Sequence, residues 1–137
     1  MTLKELSQLY YLNREIDMDK KRLQELEAQA VSITPNLSGM PRSPGVSDKV
    51  GRYAAEIADL KGIIEAKHQQ CLYERSRLER YIASIDDSLI RQIFTYRFVN
   101  GLPWLQVAAC IGGNNTADSV RMMCNRYIKA TNDATEV

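Results

Sequence analysis

The sequence predicts an all-α protein: a long antiparallel, coiled-coil-like helical hairpin followed by a C-terminal helix-turn-helix unit. Three observations carry this prediction. Residues 2–31 and 48–84 repeat apolar side chains in alternating steps of three and four. Between them, SITPNLSGMPRSPGVS holds three prolines and two glycines, which end one helix and let the chain reverse. Residues 89–129 fall into three short helical segments separated by two glycine-bearing turns. The resulting division is a hairpin over 1–85 with its connector at 32–47, a helix-turn-helix unit over 86–131, and a frayed tail at 132–137.

Thr2 and Glu5 have capping-box spacing, so the first helix starts there and runs to about residue 31. Its seam is Leu9, Leu12, Ile16, Asp19, Leu23, Leu26 and Ala30, apolar except for Asp19. Lys20, Lys21 and Arg22 belong to the solvated sides, where Asp17, Glu25 and Glu27 offset any basic character. The connector reads as a surface reversal or as a docking strap using Leu37, Met40 and Arg42; its serines have no base within sequence reach. The second helix carries Val50, Tyr53, Ile57, Leu60, Ile64, Lys67, Cys71, Glu74, Leu78, Tyr81 and Ile85 on one seam. A helix of roughly 37 residues spans on the order of 55 Å and needs a partner for that seam. The first helix, packed antiparallel at a shallow angle, is the nearest one. Lys67 then lies beyond the first helix, meets Asp19, or faces a second subunit. A homodimer is expected from the apolar edge that a two-helix hairpin exposes, whether the hairpin is intramolecular or swapped between chains.

In the C-terminal unit, Asp86 or Asp87 caps a helix over 88–99 that stops at Asn100-Gly101. Pro103 opens a second helix bearing Trp104, Val107, Ala108 and Ile111, which ends at Gly112-Gly113. Asn114, Asn115 and Thr116 form a polar turn, and Thr116 caps a third helix over 117–130. Val120, Met123, Cys124 and Tyr127 form one stripe of that helix, with Ile128 at its edge, to be buried against Val107, Ala108 and Phe94. Asp118, Arg121, Met122, Asn125 and Lys129 lie opposite. That face suits the DNA major groove, with Thr116 and Asp118 entering first. Arg121 can pair bidentately with guanine and Asn125 with adenine. Asp118 repels phosphate unless it accepts from a cytosine amine or from Arg121. With the flanking Asn115, Ser119 and Arg126, these residues make up the candidate DNA-binding set. The plain alternative is the solvated face of a helical bundle.

The net charge of +1 gives no global nucleic-acid signature. Locally, Arg91, Arg97, Arg121, Arg126 and Lys129 stand against Asp118 alone over 88–130, while the rest of the chain is net acidic. Such a local cationic excess is what phosphate binding requires. No charged segment followed by an apolar core opens the chain, and no apolar run reaches bilayer length, so a cytoplasmic protein without a membrane partner is expected. Cys71, Cys110 and Cys124 form no CxxC pair. They read as reduced thiols, at least Cys110 and Cys124 buried, and the lone His68 as solvated, so no zinc site is expected. Without a phosphate-cradling glycine motif or paired carboxylates, neither an enzyme nor a cofactor is predicted.

GLPWLQVAACIGG followed by TADSVRMMCNRYI resembles the region-four helix-turn-helix of bacterial sigma factors. It is similar in particular to phage and prophage proteins of Gram-positive bacteria with a sigma-region-four-like segment, a group that includes ArpU-like late transcription regulators. Gln106-Val107-Ala108 matches the core of the first motif helix, and Ser119-Val120-Arg121 the start of the recognition helix. Pro103 departs from the pattern, standing where a hydroxyl cap is usual, which removes one phosphate-contacting hydroxyl. The motif covers roughly the last third of the chain; the helical hairpin extends the likeness over most of it. The resemblance implies a prophage-type transcriptional regulator that binds double-stranded DNA through helix 117–130, with RNA polymerase as a further partner. It would dimerise so that two recognition helices sit one DNA turn apart. The rival readings are a packaging protein of the small-terminase type, which would form a ring of many subunits, and a protein-only helical adaptor.

Overall fold

The computed structural model describes residues 1–33 and 44–135. It is all-α, as predicted, with no strand among the described residues. In chain order the helices are α1 (Leu3–Leu6), α2 (Gln8–Ile33), α3 (Pro44–Ala83), α4 (Ser88–Phe94), α5 (Trp104–Ile111) and α6 (Ala117–Thr135); a π-helical turn, Thr95–Val99, continues α4. None is long and apolar enough to cross a membrane. The chain divides into two compact units, one of residues 13–70 and one of residues 1–12 with those from Cys71 onward.

In the unit of residues 13–70, α2 and α3 run antiparallel. Lys61 pairs with Glu27 at 3.9 Å, while Lys67, further along α3, pairs with the earlier Glu15 and Asp19. The predicted seams face inward: Ile16, Leu26 and Ile64 are buried, and Leu23, Ala30, Val50, Tyr53, Ile57 and Leu60 are half-buried. Of the three situations open to Lys67, the one found is Asp19, whose Oδ2 accepts from Nζ at 2.6 Å. His68, beside it, is half-buried rather than solvated. α3 starts at Pro44, four residues before the predicted position, because a first-turn proline gives up only an amide with no intrahelical acceptor. α2 reaches Ile33. The suggested strap residues Leu37, Met40 and Arg42 lie outside the described residues.

The other unit opens with the predicted capping box: Glu5 N donates to Thr2 Oγ1 at 3.2 Å, and Thr2 N to Glu5 Oε2 at 3.3 Å. The first helix is not continuous, however. α1 closes at Ser7, and α2 starts afresh at Gln8. Leu6, Leu9 and Leu12 are buried, as are Leu78, Ile82, Ile85, Ile90, Ile93, Phe94, Phe98, Val107, Ala108, Val120, Cys124 and Ile128. This unit is larger than segment 86–131, drawing in residues 1–12 and 71–85 that the sequence had assigned to the hairpin. About 45 residues of short helices bury too little apolar surface to stand alone, and the added turns supply the rest.

Between the two candidate caps, Asp87 is used; its Oδ1 accepts from Leu89 N at 2.8 Å and Ile90 N at 3.4 Å. The predicted helix over 88–99 changes pitch at Thr95, where Asn100 N donates to the Thr95 carbonyl, a five-residue step. Gly101, at φ 69°, turns the chain so that Leu102 N reaches the Tyr96 carbonyl at 3.0 Å. A Cβ on Gly101 would lie 3.6 Å from the Tyr10 ring, so α2 closes over this turn. Pro103 is the N-cap of α5 rather than its first residue, its carbonyl accepting from Val107 N at 3.0 Å. Cys110 is exposed, against expectation. At about 100° per residue it falls well off the stripe set by Trp104, Val107, Ala108 and Ile111. α6 continues to Thr135, so the predicted tail is helical over 132–135; residues 136–137 lie outside the described residues.

Candidate nucleic-acid interface

The candidate surface is built from α5, the turn 112–116 and α6. α5 stops because Gly112 takes φ 79° and ψ −164°, a conformation essentially reserved for glycine. Asn115 Nδ2 donates to the Gly112 carbonyl at 3.0 Å and ties the turn together. Thr116 and Ser119 then cap α6 reciprocally. Ser119 N donates to Thr116 Oγ1 at 3.1 Å, and Thr116 N to Ser119 Oγ at 2.8 Å. This is a capping box with serine in place of the usual glutamate.

α6 spans about 28 Å. Val120 and Cys124 are fully buried and Ile128 nearly so, which moves Ile128 from the edge of the stripe into it. Met123 and Tyr127 are half-buried, and the Tyr127 ring meets Phe94 edge-on at 5.6 Å between centroids. Burial drives the Cys124 thiol pKa up to about 12, against a smaller opposing pull from Arg97, so it behaves as an apolar core group.

On the opposite side, Asp118, Arg121, Met122, Asn125, Arg126 and Lys129 are all exposed, as is Thr116 at the entry. Arg121 Nη2 lies 3.6 Å from Asp118 Oδ1, the local partner considered for Asp118 from the sequence. Both groups are well solvated, so the pair costs little to break when another partner arrives. Asn115 and Ser119 are half-buried, and the polar groups of Asn115, Thr116 and Ser119 already serve the turn and the cap. Six of the nine candidate residues therefore present side chains without such a role.

Two of the five cations counted from the sequence are committed elsewhere. Arg91 Nη1 donates to the carbonyls of Ile85 at 2.6 Å and Asp86 at 3.1 Å. Arg97 Nη1 donates to the Leu102 carbonyl at 3.0 Å, and its guanidinium lies over the Trp104 ring. Both arginines are half-buried. The exposed positive set on α6 is Arg121, Arg126 and Lys129. Extension of α6 also brings exposed Asp133 onto this side, a carboxylate that a helix ending at 130 leaves out of account. On α5, Leu105 is 74% exposed, and no apolar pattern in the sequence singles it out.

No protein-family model matches the chain, and neither a curated protein nor a solved structure shows significant similarity to it.

Proposed function

We propose that the protein is a DNA-binding transcriptional regulator of the phage or prophage type, with α6 as the helix that enters the major groove. The observation supporting this most strongly is the division of α6. Arg121, Asn125 and Lys129 stand exposed along one side, while Val120, Cys124 and Ile128 fasten the other to the core. Arg121 and Asn125 supply base-edge donors, and Arg126 and Lys129 supply charge for flanking phosphates. A two-fold dimer presents two such helices to one site, and RNA polymerase is the further partner in this reading.

A second reading, a helical adaptor that binds protein alone, draws on exposed Leu105 and Met122 and on the carboxylates of Asp118 and Asp133 beside the cations. Salt separates the two. Selection from random duplex DNA should return a preferred site. Its affinity should fall on a log–log salt plot with a slope of about −3 per copy of α6 if its three cations displace counterions. Absence of any bound duplex would favour the adaptor.

A further inference from the structure

We infer that the Asp19–Lys67 layer is a pairing selector: it fixes the register in which α2 packs against α3, here within one chain, and blocks pairing of either helix with its copy in another chain. This is independent of what α6 binds. Lys67 Nζ lies 2.6 Å from Asp19 Oδ2 and 3.3 Å from Glu15 Oε2, and the Lys67 and Asp19 side chains are 26% and 23% exposed. Both sit in seams that are otherwise apolar through this unit, near buried Ile16 and Ile64. A charged layer there contributes less to stability than packed hydrocarbon would, but it discriminates between partners.

The discrimination follows from the placement of one charge of each sign. Parallel pairing of two α2 helices stacks Asp19 on Asp19 with Glu15 beside them; parallel pairing of two α3 helices stacks Lys67 on Lys67. Antiparallel self-pairing of α2 is no better, since the middle of Gln8–Ile33 falls next to Asp19 and brings the two carboxylates within a turn. Antiparallel self-pairing of α3 sets Lys67 against Leu60. A one-turn slip of α3 along α2 moves Lys67 to the level of Ile16 or Leu23, off the level of Asp19, and gives up the bridge to Asp19 and Glu15 together. Of these pairings, only α2 against α3 in the observed register neutralises both seam charges; exchange of α2 between chains would preserve that layer, and mixing the single variants distinguishes it.

The test uses the full-length chain. Asp19→Lys and Lys67→Asp should each lower the urea midpoint, and the double variant carrying both changes in one chain should regain most of the loss. An equimolar mixture of the two single variants should regain none. Single variants as resistant as the parent would overturn the inference. Recovery in the mixture would also overturn it, because it would place the pair between chains. If the single variants fail to fold, the combined variant Asp19→Leu/Lys67→Leu keeps the packing. It should match or exceed the parent urea midpoint while showing additional, heavier species in solution at equal concentration. A single species of parental mass would contradict the selector role.

Discussion

The guanidinium of Arg97 lies 4.6 Å from the centroid of the Trp104 ring and donates to the Leu102 carbonyl, so one side chain ties the π-helical turn to α5. Arg97 is therefore expected to act on stability first. Arg97→Ala should cost about 1–2 kcal/mol, combining a partly desolvated cation–π contact with a charged hydrogen bond. Arg97→Lys should recover only part of this, because an ammonium cannot both stack flat and reach the carbonyl. Urea unfolding measures both. An unchanged midpoint with lost DNA affinity would instead make Arg97 a direct DNA contact.

Tyr81 stacks on Phe94 at 6.5 Å between centroids, and its buried hydroxyl has no hydrogen-bond partner among the described residues. Removing an unsatisfied buried polar group relieves a desolvation penalty. Tyr81→Phe should accordingly be neutral or stabilise by up to about 1 kcal/mol. A clear loss of thermal stability would mean that the hydroxyl has a partner in solution.

Stability should decline on the alkaline side. Hydrogen bonding to Asp19 raises the Lys67 pKa above its ordinary 10.5 despite an opposing effect of burial, and burial raises those of Cys71 and Tyr81. Cys124 is pushed from its ordinary 9.0 to about 12. Each group binds its proton more tightly folded than unfolded. Each contribution is therefore complete below the unfolded pKa and is lost as pH rises through the folded one. The contributions of these four groups should be constant across neutral pH. As pH rises from 9.0 towards 12, the urea midpoint should fall, with Lys67 adding its share above 10.5. Cys124→Ala should flatten part of that slope. A midpoint unchanged over this range would refute the assignment of these groups.

The helices and their inner faces were legible because apolar spacing records them: Ile16, Leu26, Ile64, Val120 and Cys124 all face inward as their periodicity requires. The capping residues Thr2 and Thr116 were legible from side-chain chemistry, which left Asp86 and Asp87 equivalent; the structure uses Asp87. What periodicity does not encode is where the chain folds back on itself. The π-helical turn at Thr95 and the break at Ser7 are adjustments of backbone within a packed unit. Cys110 is exposed because its angle around α5, which residue type does not encode, turns it away from the buried stripe. A charge count over 88–130 likewise includes Arg91 and Arg97, although both guanidiniums are bound to backbone carbonyls of their own unit. The commitment of Asn115 and Ser119 to the turn and cap emerges only once Gly112 and Thr116 are seen beside them.

One double variant tests most directly whether the outward side of α6 reads DNA. Arg121→Ala combined with Asn125→Ala removes two exposed side chains and leaves Val120, Cys124 and Ile128 in place. DNase footprinting on a selected duplex should lose its protected site, while helix content and urea midpoint stay at parental values. A footprint of parental position and strength from that variant would contradict the assignment of α6 as the DNA-reading helix.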